Sequence, residues 1–297
     1  MNLLTIYLQN FRSIRNKAIS VSDFVASNNI DILALTETWL NETETTVIAN
    51  LVPVGYTFQH VPRPAGIGGG VGLLFKSGLT VKTRTSTKDK LYTHFEHMDC
   101  NVSTGSSQFT VGVIYRPPSS SKNRLKTSTF FEEWASYLET FTSKEDRLIL
   151  MGDINLHLDN PHDLDSQRFN SLLDIHGLRQ HVVGPTHRSG HTLDVVITQE
   201  DSEILYVPLS VTKACFGDDS DVTCDHDTIS FTINVPKPQN VRKTVSYRKL
   251  SEINVPSFIA DIKDCEDLKN LNRTVDELVA AYNLNLSKLL EPPNTRR

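Results

Sequence analysis

Apolar and polar positions along the chain follow two different periods, which together predict a mixture of strands and helices. The segment LLTIYL at 3–8 is a short run of aliphatic, β-branched and aromatic residues, and such runs are typical of buried strands. The same pattern predicts further strands at 30–37, 79–85, 92–100, 108–115, 147–153, 192–198 and 227–235.

Helices are predicted where apolar residues recur every three or four positions. Two of these segments begin with a capping box, in which a Thr and a Glu three residues later satisfy the first backbone N–H groups. These pairs are Thr129 with Glu132 and Thr274 with Glu277, and Gly177 closes another helix. The predicted helices are 21–29, 129–141, 166–177 and 274–290.

The segment GIGGGVGLLF at 66–75 resembles a phosphate-binding loop at first sight. It fails the G-x-G-x-x-G pattern, because Val71 and Leu73 fall where the third glycine would stand, and it lacks the Lys and Ser/Thr of a P-loop. The segment is therefore interpreted as a strand that is entered through a glycine-rich bend.

The predicted strands and helices do not alternate strictly as they do in a Rossmann fold. Several strands are expected to be adjacent and antiparallel, which favours an α/β protein of stacked sheets with outer helices. The pattern changes after Val235, where PKPQNVRKTVSYRK is proline-bearing and basic. We therefore predict one domain over 1–235, followed over 236–297 by a basic linker and an amphipathic helical tail.

Composition narrows the class of protein. The chain has 297 residues, 38% of them hydrophobic, and its net charge of −5 means that a nucleic-acid partner must meet a local basic surface. None of the cysteines lies at C-x-x-C spacing, so reduced thiols in an intracellular protein are expected. The N-terminal apolar run is too short for a signal peptide or a membrane span, and no membrane partner is expected.

Polar side chains of a few types stand where the predicted strands begin or end. Each has an ordinary explanation by itself: Asp153 could shape a turn, Glu37 could cap a helix, and His226 could be a structural histidine. Together they offer oxygen ligands for a hard divalent cation, a histidine for charge or proton transfer, and a tyrosine hydroxyl. Thiolates are missing from the set, which argues against zinc–thiolate chemistry. The set comprises Asn10, Glu37, Tyr115, Asp153, Asn155, Asp194, Asp225 and His226.

Asp153 and Asn155 follow the predicted strand LILMG directly. Residues two apart in an extended segment point the same way, so both side chains face one pocket if strand geometry persists past Gly152. A carboxylate that takes a proton from water, an amide that orients the water, and a metal and a histidine that neutralise phosphate charge suit the hydrolysis of a phosphodiester.

The order of the motifs resembles that of the endonuclease/exonuclease/phosphatase superfamily over roughly 3–235. The wording of several motifs is most similar to the apurinic/apyrimidinic-like endonuclease domain of non-LTR retrotransposons. This resemblance implies a four-layer α/β sandwich and DNA as the substrate. The motifs are LQNFRS, LTETW, VIYRPP, MGDINLHLD, GPTHRSGHTLDVVIT and CDHDTISF.

The resemblance also implies a metal site and a product. Glu37 binds the metal, Mg²⁺ with Mn²⁺ as a possible substitute, and Asn10 and Asp225 lie close to it. The nick leaves a 3′-hydroxyl, which in a retrotransposon primes reverse transcription. A reverse transcriptase domain of a parent element is thus a possible partner, and none follows residue 297. We expect an intracellular protein that works in the nucleus when it acts on DNA.

The catalytic roles are implied by the same resemblance. Asp153 activates the attacking water, and Asn155 helps to place the water and the phosphate. Tyr115 contacts the scissile phosphate. His226 stabilises the charge that develops on the phosphate, and Asp194 holds His226 in orientation.

Several points leave other interpretations open. Cys224 stands where the family usually has a serine before the final Asp-His pair, and a thiol is a weaker hydrogen-bond partner. His157 and Asp159 are interpreted as loop residues, and His187 and His191 as possible contacts to the substrate strand. The alternatives are a phosphoesterase of the same fold that acts on RNA or a phospholipid head group, and an inactive nucleic-acid-binding fragment.

Overall fold

A computed structural model gives the fold of the chain. It describes residues 2–64, 68–84, 92–105, 107–120, 123–141, 147–213, 216, 224–235, 245–247, 254–269, 274–289 and 294–296. The chain divides into two compact units, Met1–Pro238 and Gln239–Arg297. The division follows closely on the boundary predicted after Val235, and independent folding of the first unit stays a prediction.

The first unit contains two six-stranded sheets, each with parallel and antiparallel pairs. In the first sheet the strands lie in the order β11, β12, β1, β2, β4, β3, and in the second β5, β6, β7, β8, β10, β9. In chain order they are β1 (Asn2–Asn10), β2 (Ile32–Thr36), β3 (Tyr56–Val61), β4 (Val71–Lys76), β5 (Thr80–Thr83), β6 (Glu96–Ser103), β7 (Gln108–Tyr115), β8 (Leu148–Asp153), β9 (Leu178–Gln180), β10 (Asp194–Gln199), β11 (Ser210–Thr212) and β12 (Thr228–Val235).

The helices of the first unit are α1 (Ala18–Ser27), α2 (Thr45–Leu51), α3 (Thr127–Leu138) with a following 3-10 turn (Glu139–Phe141), and α4 (Leu164–Ile175). The second unit contains α5 (Val255–Asp264), α6 (Glu266–Lys269), α7 (Val275–Leu289) and the strand pair β13 (Val245–Tyr247) and β14 (Asn294–Arg296). Among the described helices, none has the length and apolar character that a membrane crossing requires.

Strand alternation builds the layers. In β8, Ile149 and Met151 belong to the core between the two sheets, whereas Leu148 and Leu150 belong to the core beneath α3 and α4. In the same way, Leu33 and Leu35 of the first sheet pack against α1 and α2. The result is a four-layer α/β sandwich, which confirms the fold class predicted from the sequence.

The two predicted capping boxes have different outcomes. Thr274 and Glu277 form the box at the start of α7, with the Thr274 N–H donating to Glu277 Oε2 at 2.9 Å. The box at Thr129 is wrong, because α3 begins two residues earlier, after Lys126, and has no side-chain cap. Phe130 lies in the first turn of α3, and its side chain is completely buried.

The glycine-rich bend lies directly before β4, as predicted, although 65–67 fall outside the described residues. Gly70 has a φ of +86°, and a Cβ there would approach Thr38 Oγ1 to 2.5 Å. The carbonyls of Gly69 and Gly70 accept hydrogen bonds from the Trp39 and Thr38 N–H groups at 2.8 and 3.2 Å. The glycines therefore let two backbone segments approach each other and fix the turn that follows β2.

Gly152 in β8 leads to a prediction about stability. Its φ is +151°, and a Cβ would lie 1.8 Å from the Ile114 carbonyl oxygen on the neighbouring strand. We expect Gly152→Ala to lower the free energy of unfolding by more than about 3 kcal/mol, because strands β7 and β8 must separate. Gly78→Ala is the matched control, since no atom lies within 4 Å of its Cβ position. Urea unfolding measures both, and equal midpoints would contradict the packing described here.

Candidate active site

The eight polar residues singled out in the sequence meet at one edge of the sandwich. In the second sheet, Tyr115, Asp153 and Asp194 are neighbours in register across β7, β8 and β10. In the first sheet, Asn10 ends β1, and His226 lies shortly before β12, which pairs antiparallel with β1. Parallel strands end and antiparallel strands begin at the same edge, so residues far apart in sequence become neighbours.

Asp153 lies at the centre of this edge and is completely buried. Its carboxylate accepts hydrogen bonds from Asn10 Nδ2 at 2.8 Å, from the Asn155 N–H at 2.9 Å and from Asn155 Nδ2 at 3.0 Å. His226 Nε2 lies 3.8 Å from the same carboxylate. Burial, followed by the nearby Asp194 carboxylate, raises the pKa of Asp153. A carboxyl group in this environment is a suitable general base.

His226 is held between two carboxylates. Its Nδ1 lies 2.7 Å from Asp194 Oδ2, and Asp194 is itself buried. The Thr186 hydroxyl accepts a hydrogen bond from the Asp194 N–H at 3.2 Å, which helps to fix that strand end. Burial lowers the pKa of His226, but the Asp194 charge and hydrogen bond outweigh burial and raise it to about 9. The imidazole is therefore protonated at neutral pH, with one N–H on Asp194 and the other directed to Asp153.

Glu37 follows β2 directly and has a φ of +50°, an uncommon conformation for a residue with a side chain. Asn10 Nδ2 donates to one carboxylate oxygen at 3.1 Å, and Trp39 Nε1 donates to the other at 3.0 Å. Burial and then the Glu37 charge raise the pKa of Tyr115, whose hydroxyl hydrogen-bonds Glu37. Tyr115 is therefore a neutral hydroxyl donor beside a carboxylate.

Asn155 faces the pocket although it does not continue the side-chain alternation of strand β8. Strand β8 ends at Asp153, and Asn155 has a φ of +47°, so strand geometry does not continue as far as this residue. Arg116 holds the turn instead, since its guanidinium donates to the Ile154 and Asn155 carbonyls at 3.1 and 3.0 Å. Asn155 Nδ2 returns a hydrogen bond to the Arg116 carbonyl at 2.8 Å. The side chain of Asn155 nevertheless faces Asp153, as expected.

One carboxylate oxygen of Asp225 accepts no hydrogen bond from the residues that the structure describes. Its Oδ2 pairs with Arg12 Nη1 at 3.1 Å, whereas Oδ1 is buried and accepts no hydrogen bond from the described residues. A buried carboxylate oxygen without a donor is costly, and a cation relieves that cost. Asp225 Oδ1 is thus a candidate ligand for a hard divalent cation, whereas Glu37 belongs to neither group of described side chains that lie close enough to share one. Asn10 presents its amide N–H groups to Glu37 and Asp153 and its oxygen to the Arg12 N–H, so it bridges the carboxylates.

A buried acidic and histidine cluster belongs to this site. Among the described residues, two groups of side chains lie close enough to share a cation, and both include His226. One group is Asp153, Asp194 and His226, and the other is His187, Asp225 and His226. The ligand types are oxygen and imidazole. Cys224 stays a thiol, because burial raises its pKa to about 11.

The remaining histidines of the sequence analysis lie around the site. The His187 ring contacts the His226 ring edge-on, with centroids 4.8 Å apart. His191 and His157 stack on each other, and Asp159 accepts a hydrogen bond from His191. Cys100, Cys224 and Cys265 are free thiols, in line with the expected reduced state, and Cys215 lies outside the described residues.

Sequence reasoning missed a half-buried ion pair beside the site. Glu96 is the cross-strand neighbour of Tyr115, and its carboxylate pairs with Arg63 and accepts the Gly70 N–H at 2.5 Å. The Arg63 guanidinium also lies 5.7 Å from the centre of the Tyr115 ring. Arg116 was missed as well, although its place directly after Tyr115 in VIYRPP was a signal. Nothing in the sequence connects Arg63 with Glu96.

Comparisons with known proteins agree with this architecture. The family model described as the Endonuclease/Exonuclease/phosphatase family matches residues 8–221. The chain therefore belongs to the endonuclease/exonuclease/phosphatase family, as the motif order indicated. A search of curated proteins found no match.

Several solved structures share the fold at low sequence identity. The endonuclease domain of TRAS1, a telomere-specific non-LTR retrotransposon, is 17% identical with a TM-score of 0.57, covering 80% of this chain and 100% of that domain. The AP endonuclease LMAP of Leishmania major is 16% identical with a TM-score of 0.59, covering 79% and 88%. D. rerio TDP2 in complex with a single-strand DNA product is 12% identical with a TM-score of 0.55, covering 79% and 100%.

The Arg63–Glu96 pair leads to a prediction about the framework of the site. We expect Glu96→Gln to lower the free energy of unfolding by about 2 kcal/mol, because the half-buried Arg63–Glu96 pair loses its negative charge. Glu44→Gln provides the control, since Glu44 pairs with the exposed Arg15 and such surface pairs contribute less than about 1 kcal/mol. Denaturant titration of both variants decides the matter, and equal losses would show that burial of the pair is unimportant.

Proposed function

We propose that the protein is a Mg²⁺-dependent endonuclease that nicks DNA and leaves a 3′-hydroxyl. The observation that carries this proposal is the buried Asp153 carboxylate, which two asparagine amides hold opposite the His226–Asp194 pair. In-line hydrolysis of a phosphodiester requires a base, groups that orient the water and a positive charge at one point. Asp153, the two asparagine amides and the protonated imidazole of His226 lie together in this way.

The roles of the side chains follow from their environments. Asp153 accepts a proton from water, and Asn155 orients the water from within hydrogen-bond reach of that carboxylate. His226 carries positive charge and offers an N–H to a phosphate oxygen, while Asp194 keeps the ring in place. Tyr115 adds a neutral hydroxyl donor for the phosphate.

Glu37 and Asp225 are the residues that would hold the cation, since both present carboxylate oxygens at the edge of the pocket and Asp225 Oδ1 lacks a donor. A bound Mg²⁺ supplies Lewis-acid neutralisation of charge on the phosphate oxygens and the leaving group. The neighbouring Asp153 and His226 provide the proton chemistry.

The sequences of the motifs and the solved structures of the same fold favour DNA over other phosphate esters as the substrate. The TRAS1 domain is described as a retrotransposon endonuclease, LMAP as an AP endonuclease, and the TDP2 structure contains a DNA product. Exposed Arg12 beside Asp225 offers a cation for a phosphate backbone. A reverse transcriptase domain as partner, and action in the nucleus, belong to the same proposal.

An inactive binding fragment is the less favoured alternative, because a chain that does not catalyse a reaction has no need to keep all of these site residues. Here all eight predicted residues are present, and their side chains interlock through hydrogen bonds across both sheets.

The test of the proposal is a nicking assay on supercoiled plasmid with and without Mg²⁺. We expect Asp153→Asn to reduce the nicking rate by roughly 10²–10⁴-fold, because the proton acceptor is lost while the shape remains. Asp174→Asn, an exposed position on α4, is the control. A parallel assay on RNA and on phosphoinositides separates DNA from the other substrates. Wild-type protein that turns over one of those and not plasmid would assign the site to a different phosphoester.

Glu37 provides a measurement of cation binding without turnover. Trp39 donates its indole N–H to Glu37, whereas the other tryptophan, Trp134, is completely buried beneath the second sheet. We expect Mg²⁺ to change the Trp39 fluorescence, and Glu37→Gln to shift that titration to at least about tenfold higher Mg²⁺, because a carboxylate ligand is lost. The exposed Glu42→Gln serves as the control. An unchanged titration in Glu37→Gln would place the cation elsewhere.

A further inference from the structure

Two histidine rings form a flat stack near the site that the proposed chemistry does not use. The rings of His157 and His191 lie 3.9 Å apart with an interplanar angle of 5°. Asp159 fixes the His191 ring, since its carboxylate accepts the Thr192 N–H at 2.9 Å and lies 3.1 Å from His191 Nδ1. His157 is exposed, so the stack presents an aromatic face to solvent.

The stack is tied to the catalytic edge through the backbone. The segment that leaves Asp153 is hydrogen-bonded to the segment that follows His191, since the Ile154 N–H donates to the Leu193 carbonyl and the Leu158 N–H to the Thr192 carbonyl. His157 is four residues from Asp153, and four extended residues span at most about 14 Å. In a duplex that length corresponds to about four base-pair steps.

A structural or metal-binding role explains the stack less well. An exposed pair of rings contributes little to a core. Among the described residues, His157, His191 and Asp159 do not bring their ligand atoms together as the two clusters around His226 do. What the pair offers is a rigid π-surface, with one ring supported by the other and by Asp159.

We propose that the exposed face of the His157–His191 stack binds an unpaired nucleobase of the DNA, within about four nucleotides of the scissile phosphate. This inference rests on the proposed function. Aromatic side chains, histidine among them, stack on splayed bases, and such stacking tolerates any base because every base has a π-face. The loop that carries His187 and His191 also carries the exposed Arg188, whose backbone N–H donates to the Asp225 carbonyl at 2.9 Å. A cation for the backbone of that strand therefore lies on the same loop as the stack.

The stack therefore predicts a substrate preference. Bases of a perfectly paired duplex are stacked on each other and have no free face to offer, whereas a bubble or a single-stranded junction does. The protein should bind a duplex with a few unpaired bases near its cleavage position more tightly than the fully paired duplex of the same sequence.

The experiment measures equilibrium DNA binding without Mg²⁺, so that no cleavage is needed. The probe is a short duplex with a central bubble that carries a fluorescent adenine analogue, whose emission is quenched when the base stacks. We expect the wild type to quench the analogue at one position, and His157→Ala to lose this quenching and bind the bubble about tenfold more weakly. Binding of the fully paired duplex should stay unchanged.

Two further variants make the test specific. His157→Phe keeps the flat ring but removes its nitrogens, so it should retain quenching and affinity if stacking is the cause. His162→Ala removes an exposed histidine of the same loop and should behave as the wild type.

Equal bubble affinity in the wild type and His157→Ala would overturn this inference and leave the proposed nuclease intact. Loss in His157→Phe as great as in His157→Ala would also overturn it, since the ring nitrogens would then be responsible. Failure of the wild type to bind any DNA would instead remove the proposed substrate and, with it, the basis of the inference.

Discussion

The site depends on one constraint, which is that the Asp153 carboxylate is buried where the two sheets meet. A buried charge is tolerated only when hydrogen bonds and opposite charge surround it. Asn10 from the first sheet, Asn155 from the following turn and the imidazolium of His226 fulfil that need. The contacts that make Asp153 tolerable are therefore also those that align the two sheets at this edge.

This constraint explains why strained backbone collects around the site. Glu37 and Asn155 both adopt positive φ within two residues of a strand end, and each is held there by a neighbouring segment. The glycine bend before β4 holds the Glu37 turn, and Arg116 holds the Asn155 turn. Such conformations cost of order 1–3 kcal/mol each, so they persist only where the surrounding packing enforces them. In these conformations the side chains of Glu37 and Asn155 are held rigidly at the site.

How much of this could be predicted from the sequence depends on the range of the interaction. Apolar runs located most of the strands, because a buried strand leaves a local run of apolar residues, but they missed β3, β9 and β11. Polar residues at strand ends pointed to the candidate site, because strands end at sheet edges. The start of α3 was misjudged because burial of Phe130 outweighs a local capping signal. The Arg63–Glu96 pair could not be predicted, because the segments that carry these residues meet only in the fold.

Under the proposed function, the residues of the chemistry and those of substrate choice lie in different parts of the structure. Asp153, Asp194 and His226 lie in the interior, where the environment fixes their charges and hardly depends on what is bound. His157, Asp159 and Arg188 lie on the exposed rim, where a substitution changes contacts without disturbing the core. Family members can thus share one interior and act on different phosphate esters, because a change of substrate needs a new rim only. For this chain, we therefore expect the residues of the exposed rim to select the substrate.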